Sequence, residues 1–484
     1  MTMSMAPAVL PKHKSRRRWY WIGGFVLLVF LTPFLVSLIA GWWGERQMQA
    51  LYAEIDAEDP DWRWPDLCAK LQPRPGEPNS AEQVAKVHAL LLKKPLMIPP
   101  SFDSGVNEKV LFCRNSHLNV EQTQMLRTAL DKLDPAVIGE ARKLKDMPNG
   151  RFALEVVENP FTMTIDHYQQ VRRAMDLMRH DAIMRGQDKD FDGSIESCQA
   201  LLNAGRSLRE HPTLLGPLVR YAGHSIANVA IERALGQGEA SEVSLKRLQE
   251  LLEAEAAEDG LHQGMRGERA IVQQLYLSVR AGKISISEIQ SLMDGGARAK
   301  PDLMDRLVDA FPGFLLSGYP DYLRLMNEHV KLAKLKDAER AEAFSKLEEK
   351  LRTHRTSIVA RIMRPATLKV IGASMRSAAL LRTATVAVAS ERYRLQHDRW
   401  PSGMKELEHG GRIKEEYADP YDGKPLRWKR TPTGLIIYSI GEDKIDDGGK
   451  LNREKALTVD DIGIELWDRS KRRLPPPAIE EAAK

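Results

Sequence analysis

The chain has 484 residues, room for two or three globular units, and its 43% hydrophobic and 28% charged residues describe folded material rather than disorder. Its formal net charge is +5, and Lys12, Lys14, Arg16, Arg17 and Arg18, with no acid among the first eighteen residues, account for all of that surplus. The remainder is electrically neutral, which leaves no basic face for phosphates and excludes nucleic acid as an expected partner.

The first element is apolar. Residues 22–40 read IGGFVLLVFLTPFLVSLIA without a formal charge, and about 20 such residues cross the roughly 30 Å hydrocarbon core of a bilayer. Membrane helices tolerate Pro33 and the Gly23-Gly24 pair, and Trp19, Tyr20, Trp21, Trp42 and Trp43 stand where aromatic rings meet headgroups. The basic residues before the span mark the cytoplasmic side. A removable signal peptide would carry a shorter apolar region, about 7–15 residues, and a small-residue cleavage site. Here Leu38-Ile39-Ala40 puts a bulky side chain where a small one is needed. The expectation is a retained single-pass anchor over 19–43 in the inner (cytoplasmic) membrane, with the N-terminus cytoplasmic and the bulk of the chain extracytoplasmic or periplasmic. In that oxidising compartment Cys68, Cys113 and Cys198 permit one disulfide of unassigned connectivity. Their spacings suit no zinc site.

Beyond the span a helix is expected to continue to Pro60. Four prolines then interrupt 61–79, and Ser80 is a candidate cap for the next helix, with Glu82 and Gln83 behind it. Apolar spacing predicts further helices over 122–133, 136–145, 166–185, 194–210, 215–235, 244–257 and 264–280, separated by short Pro, Gly and Asp breaks. Such a series describes antiparallel helices in a bundle or solenoid. No strict repeat period is present. The charged stretch 332–351 reads as one solvated helix or short coiled coil, and 368–395 as a long helix with a run of small residues. From His397 onward Pro, Gly and Asp clusters separate β-like runs at 426–429, 435–438 and 462–467, predicting a separate C-terminal α+β unit.

Three constellations along the helices bear on chemistry. The loop from Asp188 through Asp190, Asp192 and Gly193 opens like a calcium-binding EF-hand loop, but position 12 is Gln199 where a bidentate carboxylate is required. A helix-hairpin turn is the favoured reading. The Gly223-His224-Ser225-Ile226-Ala227 segment partly matches a hydrolase nucleophile elbow, which needs a strand before its serine. Both flanks are helical, so His224 and Ser225 are expected to be bundle residues. Gly264–Arg269 begins a helix and lacks the Gly-Lys-Ser/Thr of a phosphate loop.

The tail carries the strongest pattern. A helix closes on Arg399-Trp400-Pro401, a turn follows at Ala418-Asp419-Pro420-Tyr421-Asp422-Gly423-Lys424-Pro425, and Tyr438-Ser439-Ile440-Gly441-Glu442-Asp443 leads into Asp446-Asp447-Gly448-Gly449. Clustered Asp and Gly serve two ends: oxygen ligands for a hard cation, or tight turn geometry. Together the three segments, within 385–447, resemble the C-terminal region of the major pseudopilin of type II secretion systems. That resemblance implies a structural calcium held by Asp443, Asp446 and Asp447, with Ser439 a weaker ligand. The family also begins with Gly-Phe and a Glu in the fifth position. Gly24-Phe25 is present but the fifth position is Val29, so a filament subunit is not expected. The whole layout also resembles uncharacterised single-span bacterial envelope proteins.

The sequence thus predicts a mainly α protein with a cytoplasmic tail (1–18), a transmembrane helix (19–43), an α-helical extracytoplasmic domain (44–365) and a long helix with a small pseudopilin-like α+β unit (366–484). The leading functional expectation is a non-enzymatic scaffold or interaction protein, anchored in lipid and contacting protein partners, with a link to a secretion apparatus. The alternative is an extracytoplasmic enzyme or ligand-binding protein with a pocket among the central helices. Facing His, Asp and Glu side chains in a cleft would favour the alternative; a closed apolar interior would favour the scaffold.

Overall fold

The computed structural model describes residues 16–104, 106–157, 159, 163, 166–258, 260–285, 287–289, 309, 317–353, 367–451 and 460–477. Helix α1 (Arg16–Glu58) is continuous through the predicted span and beyond it. Its character changes at about Trp43. Before that point Tyr20, Trp21, Phe25, Leu31, Phe34, Leu35, Leu38 and Ile39 are exposed. After it Met48, Leu51 and Ile55, spaced to share one helical face, are buried. Among the described residues no helix is long and apolar enough to cross a membrane. Lys12 and Lys14 lie outside the described residues, as do the side chains at 16–19, 22, 23, 26–30 and 33.

Proline and capping residues set the early helices. Pro65 occupies the first turn of α2 (Trp64–Lys70). The cap of α3 (Ser80–Lys93) is Asn79, whose side chain accepts from the Ala81 N–H at 3.1 Å. Ser80, the expected cap, is instead the first helical residue and is buried. Helices α4 (Val106–Phe112), α5 (Val120–Asp131) and α6 (Pro135–Arg142) follow, and Leu126, Leu130 and Val137 join the main core.

That core is built from α7 (Asp166–Gln187), α8 (Phe191–Arg206), α9 (Leu215–Gln237) and α10 (Glu242–Ala256), with α14 (Thr367–His397) packed against α9 and α10. Helix α14 is buried on every side from Thr383 to Arg394. Its alanines at 384, 387 and 389 let α9 and α10 approach closely. The α7–α8 connection is the expected helix hairpin. Asp190 caps α8 by accepting from the Gly193 N–H at 2.9 Å and from Arg185 Nε at 2.7 Å. The cysteines at 68, 113 and 198 are all free thiols.

A second cluster places α11 (Gly260–Arg280) and α12 (Tyr319–Ala333) against the C-terminal half of α1, where Met48, Leu51 and Ile55 meet Tyr276, Tyr322 and Met326. Asp59 near the end of α1 receives Arg266 at 2.6 Å and also Arg269, and Tyr276 Oη donates to Glu45 at 2.8 Å. The stretch expected as one helix over 332–351 is divided. Helix α12 ends at Ala333, and Asp337, with φ of 41°, begins α13 (Asp337–Thr353), while Arg340 Nε donates to the Leu335 carbonyl at 2.7 Å.

After α14, α15 (Met404–His409) leads into an antiparallel sheet of β1 (Arg427–Thr431), β2 (Gly434–Ser439) and β3 (Ile462–Trp467), in spatial order 1-2-3. Arg427 pairs with Tyr438 and Gly434 with Trp467. A Cβ at Gly463 would strike the Ile437 carbonyl, so only glycine permits this register. Leu435, Ile437, Ile464 and Leu466 point inward and join the same apolar cluster as α7–α10. The sheet therefore shares the core of the helical body. Arg472 strengthens the join: both its Nη atoms donate to buried Glu391 of α14 at 2.7 Å.

Candidate functional site

A cleft of about 480 Å³ opens where α9, α10 and α14 meet the turn between α12 and α13. The helical period that buries Leu245, Leu248 and Leu252 of α10 turns Glu255 inward too, and Arg220 and His224 share the inward stripe of α9 with Ala227 and Ile231. These polar side chains meet at the floor of the cleft. Arg206 Nη1 donates to Glu255 Oε2 at 2.6 Å, and Arg220 Nε to Glu255 Oε1 at 3.0 Å. Both guanidiniums also hold Glu258, at 2.9 and 2.7 Å. Burial raises the pKa of the Glu255 carboxyl, but the Arg220 charge, the His224 hydrogen bond and the Arg206 charge outweigh it and keep the group well below the ordinary carboxylate range.

His224 joins this anionic centre to α14. Its Nε2 lies 2.7 Å from Glu255 Oε1 and its Nδ1 lies 2.6 Å from Ser377 Oγ. Ionised Glu255 can only accept, so Nε2 carries the proton in this network. In the neutral imidazole Nδ1 is then a lone pair that receives the Ser377 hydroxyl. The arrangement is an acid-oriented imidazole acting as acceptor for a serine O–H. It has the connectivity of a nucleophile, its base and the group that orients the base.

Around the mouth stand Lys334, Lys336 and Arg340 from the α12–α13 turn, Arg382 of α14, and Glu415. Arg382 is fixed by Asp337 Oδ2 at 2.8 Å and by the Ala418 carbonyl at 2.8 Å. A second cavity, about 710 Å³, is lined by Phe112, Leu218, Ile226, Val229 and Leu380, with Arg376 also on its wall. Ser377 and Tyr221 line both cavities.

The residues singled out for calcium lie elsewhere. Ser439 is buried, and its Oγ donates to Asp419 Oδ1 at 2.8 Å. Asp443 accepts from the Ile445 N–H at 3.0 Å, and Asp446 from the Gly448 N–H at 2.9 Å and Tyr438 Oη at 3.0 Å. Asp447 is exposed beside them. Among the described residues no three His, Cys, Asp or Glu side chains converge as a metal ion would need. Asp419 is what links the tail segments: it also accepts from the Ile440 N–H at 2.9 Å, the Tyr421 N–H at 3.0 Å and Arg427 Nη1 at 2.8 Å. Ser225, from the elbow-like segment, donates to the Tyr221 carbonyl at 3.3 Å as a bundle residue would, whereas its neighbour His224 belongs to the cleft.

Glu255, Arg206, Arg220 and Ser377 were not singled out from the sequence. The available signal was the charge carried on the inward stripes of α9 and α10. His224 and Ser377 are 153 positions apart, so no local motif could join them. Compared with protein-family models, curated proteins and solved structures, the chain matches none.

Proposed function

We propose that this is a membrane-tethered extracytoplasmic protein that binds a small polar or anionic ligand in the cleft between α9, α10, α14 and the α12–α13 turn. One observation carries the reading: the cleft is floored by buried polar and ionic groups, His224 and Glu255 among them, and rimmed by lysines and arginines. Fixed polar groups converging in a concave cleft are what orient and select a small-molecule ligand. The scaffold reading draws on the large apolar core but assigns no role to these groups.

The tether rests on the uncharged run 22–40 and on the exposed aromatic and aliphatic side chains of the first half of α1. Its second half is ion-paired and packed into the body, so a helix of 43 residues, about 65 Å long, joins span and body without a flexible linker. Fractionation with protease protection tests the topology: the body should be digested from the extracytoplasmic face only. Calorimetric titration of the full chain in lipid nanodiscs tests the cleft, using anionic and neutral small molecules of matched size. Binding that weakens about tenfold or more in Lys336→Glu is expected; binding indifferent to Lys336→Glu and to Arg382→Ala would place the ligand elsewhere.

A further inference from the structure

We infer that Ser377 is an acyl-accepting nucleophile, and that the protein hydrolyses carboxylic esters joining an apolar acyl group to a polar alcohol. The inference rests on the cleft being a ligand site, and it adds the reaction and the substrate class.

Three features converge on Ser377. First, its hydroxyl has a base in place: His224 Nδ1 at 2.6 Å, with the opposite ring nitrogen committed to Glu255 at 2.7 Å. A serine hydroxyl is a weak nucleophile until such a base receives its proton. Second, the base cannot turn away. Glu255 is clamped between Arg206 and Arg220, and all three side chains are almost fully buried. Third, Ser377 borders two cavities, the second the more apolar of the two. The polar cleft holds Lys334, Lys336 and Arg382. The second cavity presents the apolar Phe112, Leu218, Ile226, Val229 and Leu380, and also the charged Glu108, Arg114, Glu232, Arg376 and Asp461. An ester spanning the serine would place its alcohol in the first and its acyl chain in the second.

In the acylation step the Ser377 oxygen bonds to the carbonyl carbon as its proton passes to His224 Nδ1. The imidazolium formed is stabilised by Glu255. The bond from the carbonyl carbon to the alcohol oxygen then breaks, and His224 returns the proton to the departing alcohol. Water repeats the sequence on the acyl-serine, giving a carboxylic acid and regenerating the Ser377 hydroxyl.

The test uses the full chain in lipid nanodiscs. An octyl fluorophosphonate, which phosphonylates activated serines with loss of fluoride, should add one phosphonyl group per chain to wild type and none to Ser377→Ala. His224→Asn should slow labelling by about 10³-fold while circular dichroism stays native. Turnover of p-nitrophenyl octanoate should exceed that of the acetate, because only the longer chain fills the apolar cavity. Binding of N-(2-hydroxyethyl)octanamide, an uncleaved amide analogue with the same acyl chain, is measured in parallel. Amide binding without labelling or turnover would overturn the nucleophile and leave the binding site standing. Absence of amide binding as well as labelling would overturn both. Labelling that persists in Ser377→Ala would assign the chemistry to another residue and overturn the inference.

Discussion

Replacing Glu255 by Gln tests whether the charged floor of the cleft is held together as its geometry indicates. The carboxylate accepts from Arg206, Arg220 and His224, and its side chain is 1% exposed against 4% for each arginine. Removing one partner from a buried ion pair costs about 3–5 kcal/mol, because the remaining charge is stranded away from water. Two guanidiniums would be stranded here, but Glu258 already contacts both and is 23% exposed. The expected loss is therefore at the lower end, about 3 kcal/mol, or roughly a hundredfold in the local folding equilibrium. Amide hydrogen exchange along α9 and α10 reads that change directly, whether or not the whole chain unfolds in one step. The effect should depend on pH. Because the folded carboxyl titrates below its ordinary 4.5, its stabilisation is complete above that value and fades as pH falls through the folded one. The difference between wild type and variant should thus shrink on acidification below about pH 4.5. A loss under about 1 kcal/mol at neutral pH would refute the reasoning, since an exposed pair would cost no more.

Other outcomes follow from the same geometry. His167 and His211 face each other at 3.0 Å beside Tyr168, and burial lowers their pKa values to about 4 and about 3. Their unfolded forms protonate near 6.5, so stability should fall as pH drops from about 6.5 toward 4, and His211→Gln should flatten that slope in a series of melting curves. Asp419→Ala removes the acceptor for Ser439, two backbone N–H groups and Arg427, so the sheet should lose about 3 kcal/mol or more; Trp428 fluorescence against urea would report it, and an unchanged midpoint would refute it. The resemblance to pseudopilins implies that calcium raises the melting temperature of the full chain and that Asp446→Asn abolishes the shift; an identical midpoint in calcium and in chelator removes calcium from the loop.

Much of the helical order was legible because the signal is local. The period that predicted helices over 166–185, 215–235 and 368–395 corresponds to α7, α9 and α14, with ends displaced by two residues or fewer. Strand β3 coincides with the run at 462–467. The missed break within 332–351 depends on one residue, Asp337, taking a left-handed conformation that its charge-rich surroundings do not advertise. In the tail, the turn and strand patterns marked which residues belong together but not why. The reason is Asp419, whose four donors come from three separate pieces of chain.

Sequence by itself determined the apolar run at 22–40, the neutral charge of everything after residue 18, and the helical character with a small sheet at the end, because each depends on composition or on neighbours within a few positions. Only the tertiary structure decided that the sheet shares the helical core and that His224 stands between Glu255 and Ser377. Those relations join residues 31 and 153 positions apart, and they exist only once α9, α10 and α14 have packed. Burial then turns three ordinary polar side chains into one hydrogen-bonded chain, because each must find its partner within the protein once water is excluded.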